Sequence, residues 1–223
     1  MDVDELYELA GDLVEAEDDQ ISLTRHNHLL SDDVAIILEQ VLEEHPLPFQ
    51  LAPFQKLALH AIGSLKNVIL LAPTGAGKMV VAYLSIFVLQ KKFGVPDGVG
   101  LGTQPLSSIM NEKVKNSYMK TGTISMHGEL TANIDFEDDE EEDDDLNLSA
   151  SVDEFKSGQI NCLIGHAESW VTKTACDILD CLQEKGKILF SFLDEAHIPL
   201  KGHWDSFRPL LKLIPGQLRG RTL

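Results

Sequence analysis

The chain has 223 residues, of which 43% are hydrophobic, and a formal net charge of −18 at pH 7. This length and composition fit one large globular domain, or one domain with an appendage. The apolar runs are shorter than the ~20 residues of a membrane-spanning helix, and the acidic N-terminus is unlike a signal peptide, so we expect no membrane partner. The three cysteines match no zinc-ligand spacing and are expected to be reduced intracellular thiols.

The negative charge is concentrated in two tracts. Residues 1–19 contain nine Asp and Glu, residues 135–145 contain ten, and neither tract contains Lys or Arg. Of the 36 acids, 19 therefore lie in these tracts, which leaves 17 acids against 18 Lys and Arg in the rest of the chain. The rest of the chain is therefore nearly neutral. Its charge is compatible with a groove that binds nucleic acid but does not predict one.

The first 48 residues are expected to form an acidic helical segment. Residues 1–19 fit either a helix or a disordered arm. A second helix is predicted after the N-cap sequence that begins at Ser31, with apolar residues at helical spacing from Val34 to Leu42, and Pro46 and Pro48 end it. Packing of these helices against the main domain is favoured over binding to a partner protein.

From Phe49 to the end of the chain, helical and strand patterns alternate. The predicted strands are Val68–Leu71, Val99–Thr103, Thr123–Met126, Asn161–Ile164 and Ile188–Leu193. The predicted helices are Pro53–Ser64, Lys78–Lys92, Leu106–Met119 and Glu168–Glu184. Such alternation predicts an α/β fold with right-handed crossovers and a parallel sheet that has helices on both faces.

The acidic tract at 135–145 interrupts this alternation. Like charges at this density repel one another, so we expect a solvated, disordered insertion over about residues 133–150. A decoy for nucleic acid, or a tail that binds basic partners, is the functional alternative.

A glycine-rich loop between the first predicted strand and the helix at 78–92 is typical of a phosphate-binding site. Backbone N–H groups of such a loop point at an anion, and the positive end of the helix dipole lies behind them. The candidate nucleotide-binding residues are Thr74, Gly75, Ala76, Gly77, Lys78 and Met79. Lys78 is expected to reach the β- and γ-phosphates, whereas Met79 stands where Ser or Thr would hold Mg²⁺. A chance Gly-x-Gly-Lys sequence is the alternative reading.

A second chemical centre follows the last predicted strand, where Ile188–Leu193 runs into Asp194, Glu195, Ala196 and His197. Phosphoryl transfer needs a carboxylate for Mg²⁺ and a second one for the attacking water. We therefore assign metal binding to Asp194 and orientation of water to Glu195. His197 is a candidate relay between the nucleotide and a second domain.

These motifs resemble the first motor lobe of superfamily-two helicases and, more closely, of RecQ-like DNA helicases. The loop at 72–78 is similar to the family's motif I, and Asp194 to His197 is similar to its DEAH box. Gln55 stands where the family contacts adenine, although Ala52 replaces the usual Arg. Glu168 stands near the family's Thr-Pro-Glu, although Thr and Pro are absent.

Two further segments resemble nucleic-acid contacts of that family. Residues 103–110 are similar to a Ser-Pro-Leu segment that faces the DNA backbone, here with Pro105, Leu106 and Ser107. Residues 202–209 resemble the aromatic-rich loop that couples DNA contact to ATP hydrolysis, with Trp204 displaced from its usual place. Physically, aromatic rings can stack on bases and an Arg can pair with phosphate. The residues assigned to nucleic acid in this loop are His203, Trp204, Phe207 and Arg208.

The resemblance implies a RecA-like domain over residues 49–223, incomplete at its C-terminus, with ATP and Mg²⁺ as cofactors. It implies 3′–5′ unwinding of single-stranded or forked DNA in the nucleus, in DNA repair and recombination. The second motor lobe that the family needs is not found in these residues, so we expect this chain alone to be inactive as a helicase. Because Met79 departs from motif I, a non-catalytic nucleotide- or DNA-binding regulatory protein is the alternative. A different P-loop ATPase is a third and weaker one.

Overall fold

A mostly parallel sheet of five strands is the main element of the computed structural model, which describes residues 32–73, 75–104, 119–132, 151–157 and 159–194. The helices are α1 (Asp32–Glu44), α2 (Pro53–Gly63), α3 (Lys78–Phe93), α4 (Val152–Ser157) and α5 (Lys173–Glu184). The strands are β1 (Val99–Thr103), β2 (Thr121–Ile124), β3 (Leu130–Ala132), β4 (Cys162–Gly165) and β5 (Ile188–Leu193). A single 3₁₀ turn, Ser169–Val171, precedes α5.

The strand order is β3-β2-β4-β1-β5. β1 is parallel to both β4 and β5, and β2 is parallel to β4, while the short β3 joins β2 in the antiparallel direction. Parallel neighbours need crossover connections, and α3 and α5 each lead into a strand of the sheet. The predicted α/β class with a largely parallel sheet is therefore confirmed.

Helices lie against both faces of the sheet at β1. Leu101 belongs to the buried cluster that contains Ile178 and Leu182 of α5. Successive strand residues point to opposite faces, so Gly100 faces the other side. A Cβ at Gly100 would lie only 2.7 Å from Cδ1 of Ile86, a residue of α3. A glycine at this position thus lets α3 approach the strand closely.

The chain divides into two compact units between Leu70 and Leu71. In the first unit, α1 buries Val34, Leu38 and Val41, which recur at the spacing of one helix face. The helix ends at Glu44, ahead of Pro46, as the sequence predicts. The sheet, its helices and the loop that precedes α3 belong to the second unit.

The predicted strand Val68–Leu71 is not a strand in the structure. These residues have no regular secondary structure, and the side chains of Ile69 and Leu71 are 73% and 63% exposed. A strand exists only through hydrogen bonds to a neighbour, and among the described residues this run is not part of the five-stranded sheet. The apolar composition of residues 68–71 was therefore not sufficient to predict a strand.

The later elements agree with the sequence more closely. β1 and β5 have the predicted bounds, β4 is shifted by one residue, and β2 ends at Ile124 because a turn over residues 125–129 follows it. The predicted helix at 168–184 is divided at Thr172, where the 3₁₀ turn ends and α5 begins. The sequence did not predict β3 or α4. The predicted helix at 106–119 and the acidic tracts lie almost entirely outside the described residues.

The membrane prediction concerns helix length and polarity. In the parts of the chain that the structure describes, no helix combines the length and apolar character that crossing a bilayer requires.

Candidate nucleotide-binding site

The loop before α3 has the backbone conformation that its glycines permit. Gly75 and Gly77 have φ angles of +82° and +79°, in the left-handed region that most residues avoid. A Cβ at Gly75 would meet no atom within 4 Å, so a larger side chain would fit into the available space. Glycine is favoured at this position because of the positive φ angle. Thr74 lies outside the described residues, so the loop is described on both sides of this position.

The N-terminus of α3 has no side-chain cap. Gly77 is the N-cap residue and offers no side-chain acceptor, and the first turn contains no acidic residue. The predicted helix at 78–92 is confirmed as Lys78–Phe93, with its middle turns buried. A helix start without an internal carboxylate retains its partial positive charge for an external anion.

The Lys78 side chain folds back over the loop. Its Nζ donates hydrogen bonds to the carbonyl oxygens of Ala72, at 2.8 Å, and Pro73, at 3.1 Å. The ammonium group is thus held beside the same turn that the two glycines shape. A phosphate that bound here would compete with these carbonyls for the ammonium group.

Strands β1, β4 and β5 end together, and we call the residues that follow them the carboxyl edge: Gln104, His166 and Asp194. The backbone N–H of Gln104 donates to the carbonyl of Gly165, and that of Asp194 donates to the carbonyl of Thr103, each at 3.0 Å. These bonds continue the strand ladder by one residue. In parallel α/β sheets this is the side on which ligands bind.

Buried polar side chains connect the ends of these strands. Nε1 of Trp170 donates to Oγ1 of Thr103 at 2.9 Å, and Nδ1 of His166 lies 2.9 Å from the carbonyl oxygen of Gln104. Oγ of Ser169 donates to the carbonyl oxygen of Ile124 at 2.7 Å. All of these side chains are nearly inaccessible to solvent. The chain segment that follows β4, residues 166–170, therefore fixes the ends of β1 and β2.

Met79 brings the first turn of α3 to the carboxyl edge. Nε2 of Gln104 lies 3.9 Å from Sδ of Met79, a weak contact of an amide with a thioether. Thr103 is hydrogen-bonded to Asp194, so the helix start, the end of β1 and the end of β5 lie close together. The structure thus connects position 79 with the proposed metal ligand Asp194 through two adjacent residues of one strand end.

Gln55, the predicted adenine-contacting residue, caps its own helix. Its Oε1 accepts a hydrogen bond from the backbone N–H of Ala52 at 2.8 Å, and the residue is buried. It belongs to the first compact unit, whereas Gly75 to Met79 belong to the second. The structure assigns this side chain a capping contact, and its role toward adenine stays a prediction.

Several predicted site residues lie outside the described part of the chain. They are Thr74, Pro105, Leu106, Ser107, Glu195, His197, His203, Trp204, Phe207 and Arg208. Glu168 is described and stands half-buried just before the 3₁₀ turn, after a strand that the sequence predicted. Within the described ranges, no group of three or more His, Cys, Asp and Glu is arranged to hold a metal ion.

Sequence reasoning missed Gln104, His166 and Trp170. Gln104 and His166 follow strands that the sequence did predict, so their place at the carboxyl edge was foreseeable, whereas Trp170 lies within the helix that was predicted at 168–184. Burial was the part that could not be foreseen, because it depends on the strand order β4-β1-β5. Neither a protein-family model nor a curated protein sequence matches this chain.

Proposed function

We propose that this chain is the nucleotide-binding motor lobe, with a RecA-like fold, of an ATP-dependent 3′–5′ DNA helicase of the RecQ-like type. The observation that carries the proposal is the turn from Gly75 to Lys78. Two glycines with positive φ lead directly into a helix whose first residue is a lysine, beside the carboxyl edge of a largely parallel sheet. Such a turn and helix start, at this edge of a parallel sheet, form the environment in which a nucleotide phosphate binds.

The loop and Lys78 would bind the phosphates of ATP. Backbone N–H groups at the start of α3 supply a fixed partial positive charge, and Lys78 supplies a full one. To reach a phosphate, the ammonium group would exchange the carbonyls of Ala72 and Pro73 for phosphate oxygens. A charged partner offers the stronger hydrogen bond, which favours this exchange.

Oxygen ligands for Mg²⁺ are available at the carboxyl edge. Mg²⁺ prefers carboxylate and other oxygen ligands and keeps several waters, so a single protein carboxylate such as Asp194 fits the ion. When bound, the ion would neutralise phosphate charge. Glu195 would orient the attacking water and His197 would relay the nucleotide state, both as the resemblance to the DEAH box implies.

The proposed DNA contacts come from the resemblance. Residues 105–107 would lie along the backbone of a single strand, and Trp204 and Phe207 would stack on bases while Arg208 pairs with phosphate. A place in the nucleus and a role in DNA repair and recombination are proposed on the same ground.

Nucleotide binding tests the proposal. The unaltered chain is expected to bind a fluorescent ATP analogue with a dissociation constant in the millimolar range or tighter. Lys78→Ala is expected to abolish that binding, because the loop loses its only full positive charge. Equal affinity of the two proteins, measured by fluorescence anisotropy, would contradict the proposal.

The second candidate is a non-catalytic regulatory protein that retains a degenerate motor lobe. The observation in its favour is Met79, whose thioether contacts Gln104 where a metal-binding hydroxyl is expected. Met79→Thr separates the two candidates in the presence of a second motor lobe supplied as a separate protein. DNA-stimulated ATP hydrolysis by this variant supports the helicase, and its absence favours the regulatory protein.

A further inference from the structure

Gln104 is the most constrained polar residue at the carboxyl edge. Its backbone N–H donates a hydrogen bond to the carbonyl oxygen of Gly165, and its own carbonyl oxygen lies 2.9 Å from Nδ1 of His166. The residue is 0% exposed. Both backbone groups are therefore fixed by neighbouring strands. The side chain extends from this fixed backbone toward the first turn of α3, where its Nε2 contacts Met79.

The other atom of the Gln104 amide is unsatisfied. Oε1 is buried and has no hydrogen-bond partner among the described residues. A buried carbonyl oxygen in this condition loses its hydration, at a cost of about 1–3 kcal/mol. Nitrogen and oxygen of an amide are exchangeable by rotation, and either orientation places one oxygen within the same small region beside Met79. Buried unpaired groups of this kind are rare and often have a functional reason.

The surroundings of this oxygen match the place of a metal ligand. Position 79 is where a loop of this type usually carries the hydroxyl that holds Mg²⁺, and methionine has no oxygen to offer. The neighbouring residue Thr103 accepts the backbone N–H of Asp194. The Gln104 amide thus contacts the residue at the hydroxyl's usual position, and its chain neighbour Thr103 is hydrogen-bonded to Asp194, the proposed carboxylate ligand.

We propose that Oε1 of Gln104 is a ligand for the divalent cation of bound nucleotide, in place of the hydroxyl that Met79 lacks. The inference rests on the proposed function, because it needs a nucleotide at the loop. Amide carbonyl oxygens are suitable ligands for such hard cations. Met79 covers the amide in this structure, and its three rotatable bonds allow the thioether to turn aside without movement of the helix.

The test compares ATP affinity with and without metal. A fluorescent ATP analogue is titrated into the full chain in excess Mg²⁺ and again in EDTA, and the ratio of the two affinities is the metal-dependent gain. We expect a gain of about tenfold for the unaltered chain, the size of one good ligand interaction. Gln104→Leu is expected to reduce the gain to about onefold and to leave the affinity in EDTA unchanged. Electron paramagnetic resonance of Mn²⁺ with ATP supplies a readout independent of fluorescence.

Two further variants complete the design. Gln104→Glu keeps an oxygen and adds a charge, so its metal-dependent gain is expected to exceed that of the unaltered chain. Met79→Thr in the Gln104→Leu background is expected to restore the gain, since the hydroxyl returns. Thermal unfolding identifies a variant that fails to fold, and Gln104→Glu then carries the test alone.

The outcomes separate this inference from the function on which it rests. Binding that depends on Lys78 but keeps its full metal-dependent gain in Gln104→Leu would overturn the role of Gln104 and leave the proposed function standing. A gain in Gln104→Glu no larger than in the unaltered chain would overturn it too, as would equal losses of affinity with and without metal. Absence of any ATP binding by the unaltered chain would overturn both.

Discussion

Trp170 and Thr103 form the buried contact that connects the segment after β4 to the end of β1. The indole N–H of Trp170 donates a hydrogen bond to the hydroxyl oxygen of Thr103, with 2.9 Å between Nε1 and Oγ1. Both residues are at most 1% exposed. Because the pair is inaccessible to water, loss of one partner leaves the other unsatisfied. This contact therefore stabilises the carboxyl edge more than its single hydrogen bond would at the surface.

A double-mutant cycle measures the contact. Thr103→Val keeps the shape but removes the acceptor, and we expect it to lower the free energy of unfolding by about 1–3 kcal/mol. Trp170→Phe removes the donor and part of the ring, with a loss of similar size or larger. Urea unfolding of the double variant should show less than the sum of the two losses. Strict additivity would show that the two side chains do not interact.

His60 is a titratable group that the fold keeps nearly buried. Burial lowers the pKa of its imidazole below the usual value of 6.5, and Nδ1 has no hydrogen-bond partner among the described residues. The folded state therefore favours the neutral ring. In the unfolded state the ring binds a proton at a higher pH, so protonation favours unfolding.

The pH dependence of stability tests this assignment. Well above a pH of about 6.5 the ring is neutral in both states and does not affect the stability. As the pH falls through the unfolded-state pKa of about 6.5, the stability should decrease by at most about 1.4 kcal/mol per pH unit. His60→Leu removes the titration and should flatten this part of the profile. Denaturant unfolding at about pH 7.5, 6.5, 6.0 and 5.5 supplies the comparison. Parallel profiles for the two proteins would exclude His60 as the cause.

At the scale of elements, the sequence predicted the bounds of the interior strand β1 and of its neighbour β5 correctly. All five residues of β1 are buried, and its predicted bounds are those of the structure, as are those of β5. Residues 68–71 have a similar apolar pattern but no strand partner among the described residues, and sequence alone cannot supply that information. α4 was missed although Ser151 and Glu154 form the reciprocal hydrogen bonds of a capping box, a pattern that the sequence does contain.

The candidate site likewise contains some features that the sequence predicts and others that it does not. The turn with its two glycines and the helix start at Lys78 were predictable, because they depend on local backbone conformation. The contact of Gln104 with Met79 was not, because it joins residues 25 positions apart through the packing of α3 on the sheet. The strand order decides which side chains meet at the carboxyl edge.

The N-terminus of α5 is stabilised by one side chain. Oγ1 of Thr172 accepts the backbone N–H of Ala175 at 3.2 Å and donates to the carbonyl of Ser169 at 2.7 Å. This residue ends the 3₁₀ turn and starts the helix, and the helix contributes Ala175 and Ile178 to the core. The division of the predicted helix at 168–184 therefore has a local cause.

Replacement of Thr172 tests that cause. Thr172→Ala is expected to lower the free energy of unfolding by about 1 kcal/mol, within the usual range for an N-cap. Thr172→Ser keeps both hydrogen bonds and is the matched control, with a change expected to be smaller than about 0.5 kcal/mol. Urea unfolding followed by circular dichroism measures both. A serine variant as unstable as the alanine variant would show that the methyl group, and not the cap, matters.

At the scale of the whole molecule, charge distribution bears on the proposed DNA partner. The net charge of −18 opposes binding to a polyanion, and ten of the acids lie at 135–145. Replacement of these ten by Asn and Gln would bring the net charge to −8, since −18 plus 10 is −8. The whole chain then has 18 Lys and Arg against 26 acids, since 36 minus 10 is 26.

We expect this neutralised chain to bind single-stranded DNA more tightly, by about tenfold at low salt and less at higher salt, because added ions screen the removed repulsion. A chain with residues 135–145 in shuffled order keeps the charge and is the control. Fluorescence anisotropy with a labelled oligonucleotide is the measurement. Equal affinity of all three chains would mean that the tract does not act on DNA through its charge.

The central claim is that the loop at 72–78 binds a nucleotide phosphate, and isothermal titration with ATP and Mg²⁺ tests it most directly. Lys173 provides a matched control, because it is an exposed lysine that also begins a helix, α5, whose N-terminus is capped by Thr172. We predict that the unaltered chain and Lys173→Ala bind ATP with equal affinity and that Lys78→Ala does not bind. Binding that survives Lys78→Ala, or no binding by the unaltered chain, would contradict the claim.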